Sequence, residues 1–245
     1  MRTFLLALGL LLTTAVAAAD QAKDLLRQVT GGSASGSKAT SSSLSQSDAS
    51  AGIKEALARG VSASIKQLGT QDGFLKDQVV RIAVPKSMRK MSEAARKLGT
   101  DKYVEDFETS MNRAAEKAVP AAADIFAEAI RQMTVQDAVA IVRGEPDAGT
   151  QYFRRVTSDK LRASFLPIVG KATSETGVTD KYKKLSKQSG GLDHLLGGGN
   201  AMDLDGYVTD KAMDGLFHYI AEQEKAIRKN PLATGSSLLG RVFGK

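Results

Sequence analysis

Apolar positions recur every three or four residues along most of the chain, a spacing that predicts amphipathic helices. Ile53, Leu57, Val61, Ile65 and Leu68 form the first stripe, with Ser47 or Asp48 as its cap and Gly69 as its stop. Val79 to Val84 is the one β-like run, and Pro85 pushes Val84 toward an extended conformation, so a short strand or extended loop is expected over 79–84. A helix after Pro85 is expected to turn Met88, Met91, Ala95 and Leu98 inward, ending at Gly99. The next begins at Asp101 and buries Val104, Phe107, Met111, Ala115 and Ala118. Beyond Pro120 comes the stripe Ala122, Ile125, Phe126, Ala129, Ile130 and Met133. Thr134 and Asp137 have capping-box spacing, opening a short helix that Gly144 closes. After the Glu145-Pro146-Asp147 turn, helices are expected over 150–157, 159–174 and 179–189, then a glycine-rich loop over 190–199. A last long helix, from about Asp205 to Asn230-Pro231, buries Val208, Ala212, Leu216, Ile220 and Ile227. A terminal turn at Leu238, Leu239, Val242 and Phe243 docks back. The expected class is all-α, one multi-helix domain over 48–245.

The N-terminus has a different pattern. Met1-Arg2 is followed by an apolar run from Phe4 to Val16, too short to span a bilayer, and by Ala17-Ala18-Ala19. These are the parts of a signal peptide over 1–19, cleaved before Asp20 or, alternatively, after Ala17. The mature chain is then exported, most simply to the periplasm, and no later segment reads as a membrane span. Residues 20–47 read as a mature N-terminal segment and linker: Asp20 to Val29 could form a loose amphipathic turn, and from Thr30 the composition falls to Gly, Ser, Ala and Thr. Gly31 and Gly36 have phosphate-loop spacing, but Ser37 stands where lysine is needed and no strand precedes them.

Composition narrows the chemistry. With 42% hydrophobic and 25% charged residues in 245, the chain is globular. The absence of cysteine excludes disulfides, thiol nucleophiles and a lipobox anchor. Two histidines, His194 and His218, are too few for a multi-histidine metal centre, and no G-x-S-x-G elbow occurs. No cofactor or metal is expected. Asp203-Leu204-Asp205-Gly206 looks like part of a calcium loop, but Ala201 and Ala212 fall where carboxylates are required, and a helix start explains it better. The net charge of +7 comes with no tryptophan and few other aromatics, which disfavours nucleic acid.

Two polar constellations and two basic clusters remain. Asn112, Arg113 and Glu116 share one helix, as do Glu224 and Arg228 at i,i+4. Each set fits either an internal network or a polar cluster facing a cleft, with Glu116 as a base or ligand anchor. Lys86, Arg89, Lys90, Arg96 and Lys97 surround the Met88/Met91/Leu98 stripe, and Lys181, Lys183, Lys184 and Lys187 form a second group. Such clusters suit anionic headgroups or polyanions, or simply a solvated face.

Asn112-Arg113-Ala114-Ala115-Glu116, Met133 to Ala138, Gly144 with Thr150-Gln151-Tyr152-Phe153, Tyr207-Val208-Thr209 with Gly215-Leu216-Phe217, Ile227 to Pro231 and the closing Val242-Phe243-Gly244 together resemble an exported bacterial family known as domain of unknown function forty-one ninety-seven. The resemblance runs from about Gly52 to the C-terminus, with a departure at Gly149, where a second alanine is expected. It implies a helical envelope protein and supplies no activity, catalytic residues or cofactor. The leading expectation is a non-catalytic periplasmic domain that binds an envelope protein, lipid or anionic polymer. The alternatives are a carboxylate-dependent hydrolase of envelope polymers and a self-associating structural protein.

Overall fold

Each apolar stripe becomes the inner face of a helix. In the computed structural model, which describes residues 45–177, 180, 181, 184 and 203–244, these are α1 (Gln46–Leu68), α2 (Arg89–Lys97), α3 (Asp101–Ala118), α4 (Ala122–Gln132), α5 (Val135–Arg143), α6 (Ala148–Glu175), α7 (Leu204–Lys229) and α8 (Ser237–Phe243). No strand occurs among the described residues, and the domain is all-α. The expected signal peptide, most of the expected linker, the expected glycine-rich loop with His194, and most of the helix expected over 179–189 lie outside the described residues.

Helix α7 packs against α6, α1 and α3, and α1 also meets α4, α5 and α8. Their apolar faces close over a core in which Phe107, Phe126, Phe153, Phe165 and Phe217 are fully buried. Phe126 meets the edges of Phe153 and Phe217 at centroid distances of 4.9 and 6.0 Å, the T-shaped geometry that ring quadrupoles favour. Among the described residues, no helix is long and apolar enough to cross a membrane.

Capping chemistry explains most boundaries. Ser45 caps α1 by accepting from the Asp48 N–H, earlier than the expected cap at Ser47 or Asp48. The Thr134–Asp137 capping box forms in both directions. One expected break is absent: α6 runs unbroken through Thr157 and Ser158, whose hydroxyls donate to the carbonyls of Phe153 and Arg154 four residues back. Those bonds satisfy the hydroxyls inside the helix, so they do not compete with it. Leu98 also departs from expectation, being 64% exposed. The Thr100 N–H reaches the Ala95 carbonyl and the Gly99 N–H reaches that of Arg96, with Gly99 at φ +70°. This Schellman turn ends α2 at Lys97, before Leu98 can continue the buried face.

Between α1 and α2, residues 69–85 fold without a regular element, yet they bury Phe74 and Ile82 completely or nearly so. Gly215 of α7 is the contact that lets them in. A Cβ there would lie 2.7 Å from the Phe74 ring and 3.1 Å from Val80 Cβ. Gly215→Ala should therefore destabilise the domain by about 1–2 kcal/mol, overpacking outweighing the helix-propensity gain. Urea denaturation at unchanged m-value checks this, and an equally stable variant would show that the loop does not press on α7.

Candidate functional site

The 69–85 segment brings the most polar chemistry into one place. Its irregular backbone leaves N–H groups that cannot be buried without acceptors. Helix α3 supplies them from Glu108, Asn112 and Glu116, four residues apart and therefore on one face beside the apolar stripe. Glu116 Oε1 accepts the Phe74 and Leu75 N–H groups at 3.1 and 3.2 Å, while Oε2 takes Arg113 at 2.7 Å. Arg113 also reaches Asp72, which stands in the left-handed region at φ 70°, at 2.5 Å. Asn112 is fully buried and pairs its side-chain amide with both backbone groups of Ile82, at 2.8 and 2.9 Å, as a neighbouring strand would. Glu108 accepts the Val84 N–H at 3.3 Å and Arg81 at 2.7 Å.

Helix α7 holds the same segment from the other side. The Tyr207 hydroxyl donates to the Ala83 carbonyl at 3.0 Å, and the Tyr219 hydroxyl donates to Asp77. Asp77 also accepts the Val79 and Val80 N–H groups at 2.8 and 3.0 Å. Burial works against the Asp77 charge, but the Tyr219 hydroxyl and the two N–H groups outweigh it and hold the carboxyl below its usual range. Burial, reinforced by the bond to Asp77, pushes the Tyr219 hydroxyl up to about 12.

Glu224 and Arg228 form a second buried network around helix ends. Glu224 accepts the Gly149 and Thr150 N–H groups and the Thr150 hydroxyl, each at 2.9 Å, satisfying the first turn of α6. Arg228 pairs with Glu224 at 2.9 Å and donates to the Ile141 and Val142 carbonyls at the end of α5. The pair thus ties the two helix ends flanking the 144–147 turn. Gly149 belongs to that arrangement: a Cβ there would lie 2.4 Å from Leu57 and 3.1 Å from Glu224.

A family model described as protein of unknown function (DUF4197) matches residues 43–244. The chain belongs to this family. No curated protein and no solved structure gives a significant match.

In this DUF4197 protein the sequence-singled residues fall into two groups. Asn112, Arg113 and Glu116 come together with residues 72–82, and Glu224 with Arg228 joins α5, α6 and α7, about which the linear spacing carries no information. Both carboxylates have each oxygen occupied by N–H or hydroxyl donors, leaving neither poised to activate a water. The basic residues lie outside: Lys86, Arg89, Lys90, Arg96 and Lys97 are all exposed, as is Lys184, while Lys181 donates to Ser110. Lys183 and Lys187 lie outside the described residues. Asp203 caps α7 through the Gly206 N–H at 2.7 Å, and Asp205 accepts from Thr173. No group of metal-ligating side chains occurs among the described residues. Sequence reasoning missed Glu108, Asp77, Tyr207 and Tyr219. Only Glu108 had a usable signal, its i,i+4,i+8 register with Asn112 and Glu116.

Glu116→Ala removes the acceptor of two N–H groups and a partner of Arg113, and should cost about 3 kcal/mol. Glu116→Gln keeps one acceptor and should fall between wild type and alanine in chemical denaturation. A glutamine variant more stable than wild type would instead mark a strained functional carboxylate.

Proposed function

We propose that this domain is a non-catalytic, exported module that binds an anionic envelope surface through α2 and the turn before it. One observation carries this reading. Met88, Met91, Ser92 and Ala95 are buried, so at about 100° per residue the basic side chains Lys86, Arg89, Lys90, Arg96 and Lys97 share the opposite arc, with Glu93 the single acid among them. Among the described residues, Lys86, Arg89, Lys90 and Lys97 have no ion-pair partner, and Arg96 only approaches Glu108 at 4.0 Å. The exposed Leu98, just past the end of the helix, offers an apolar contact beside the cations.

Such a face suits phosphate headgroups, each basic residue near an anionic surface contributing about 1 kcal/mol. The apolar run and alanine triplet over 1–19 support export, and hence a periplasmic surface as the target. Occupation of the Glu116 and Glu224 oxygens weighs against the hydrolase alternative.

Co-sedimentation of the exported chain with phosphatidylglycerol vesicles tests the proposal. Binding should exceed that to phosphatidylcholine vesicles and weaken as salt rises. A variant carrying Lys86→Glu, Arg89→Glu, Lys90→Glu and Lys97→Glu should lose at least tenfold in affinity. Equal binding to both vesicle types, or an unaffected charge-reversed variant, would overturn it.

A further inference from the structure

A second surface follows from how α3 holds residues 81–84. The Ile82 N–H, the Ile82 carbonyl and the Val84 N–H all point to Asn112 and Glu108. The backbone groups of Arg81 and Ala83 alternate to the other edge, as along a strand. Of these, the Ala83 carbonyl takes the Tyr207 hydroxyl. Among the described residues, the Arg81 N–H and carbonyl and the Ala83 N–H have no hydrogen-bond partner. That edge opens onto a groove of about 400 Å³ between the segment and α7, whose lining includes Val79, Arg81, Ala83, Lys211, Asp214 and His218. Val79 at its mouth is 69% exposed.

We propose that this edge is a strand-addition site for an extended polypeptide segment with acidic side chains. Free donors and an acceptor on alternate residues call for a second extended backbone, which supplies their complements at strand spacing. Asn112 already acts as the neighbour on the inner side, so the segment is held as a one-sided edge before any partner arrives. Charge selects the partner's side chains. The one groove carboxylate, Asp214, is already met by both Lys211 at 3.3 Å and Arg154 at 3.7 Å, two cations to one acid, so the rim there is cationic on balance, while Arg81 is paired with Glu108. This surface is separate from the α2 arc and does not depend on it.

Panning a random peptide library displayed on phage against the full exported chain, with counter-selection on Ala83→Pro, tests the proposal. The proline removes one free N–H, one that makes no internal bond, from an extended position. The expected result is enrichment of peptides alternating acidic and apolar residues. A synthetic copy should lose at least tenfold in affinity for Ala83→Pro and for Lys211→Glu, and should slow hydrogen exchange at the Arg81 and Ala83 amides. If Ala83→Pro fails to fold, Lys211→Glu and the exchange measurement decide. No enrichment, unchanged affinity for the variants, or binding without protection of those two amides would overturn the proposal.

Discussion

The face of α3 that carries Glu108, Asn112 and Glu116 sets the terms for the rest of the domain. The interior of a helix satisfies its backbone internally, but residues 69–85 do not, and a buried N–H without an acceptor costs about 1–3 kcal/mol. Four N–H groups, buried at Phe74 and Ile82 and part-buried at Leu75 and Val84, find side-chain oxygens on this one face. With the backbone satisfied, Phe74 can enter the core against Gly215, and Ile82 can be buried although it belongs to no strand. The same anchoring fixes which edge of the segment faces out.

Glu224 and Arg228 apply the same physics to helix ends. The carboxylate meets N–H groups at the start of α6, and the guanidinium meets carbonyls at the end of α5. Buried charge in this DUF4197 member therefore completes the backbone's hydrogen bonding. Among the described residues, the basic arc of α2 and the free edge at Arg81 and Ala83 are the surfaces we propose for partners. Both suit recognition by charge and backbone complementarity, in keeping with a binding module.

Local signals made the helices legible: the apolar stripes of α1, α3 and α7, the capping box at Thr134, and the stops at Gly69 and Gly144 all appear where periodicity and turn chemistry put them. Leu98 misled because a Schellman turn ends α2 one residue before the stripe does. Thr157-Ser158 misled because hydroxyls that favour turns can also bond back within a helix. Asn112, Arg113 and Glu116 were visible as a set, but their partners at 72–84 are some thirty to forty residues away in sequence. Likewise, Glu224 and Thr150 are 74 residues apart. Helical spacing shows which side chains share a face; it does not show what packs against that face.

Native-state hydrogen exchange of individual amides tests this account most directly. If α3 holds the segment, the amides of Phe74, Leu75, Ile82 and Val84 exchange only with the opening that releases the core amides of α3, although they belong to no helix. In Asn112→Ala the Ile82 amide should lose that protection. Exchange of these four amides at the rate of the exposed loop amide of Arg81 in the wild-type protein would contradict it.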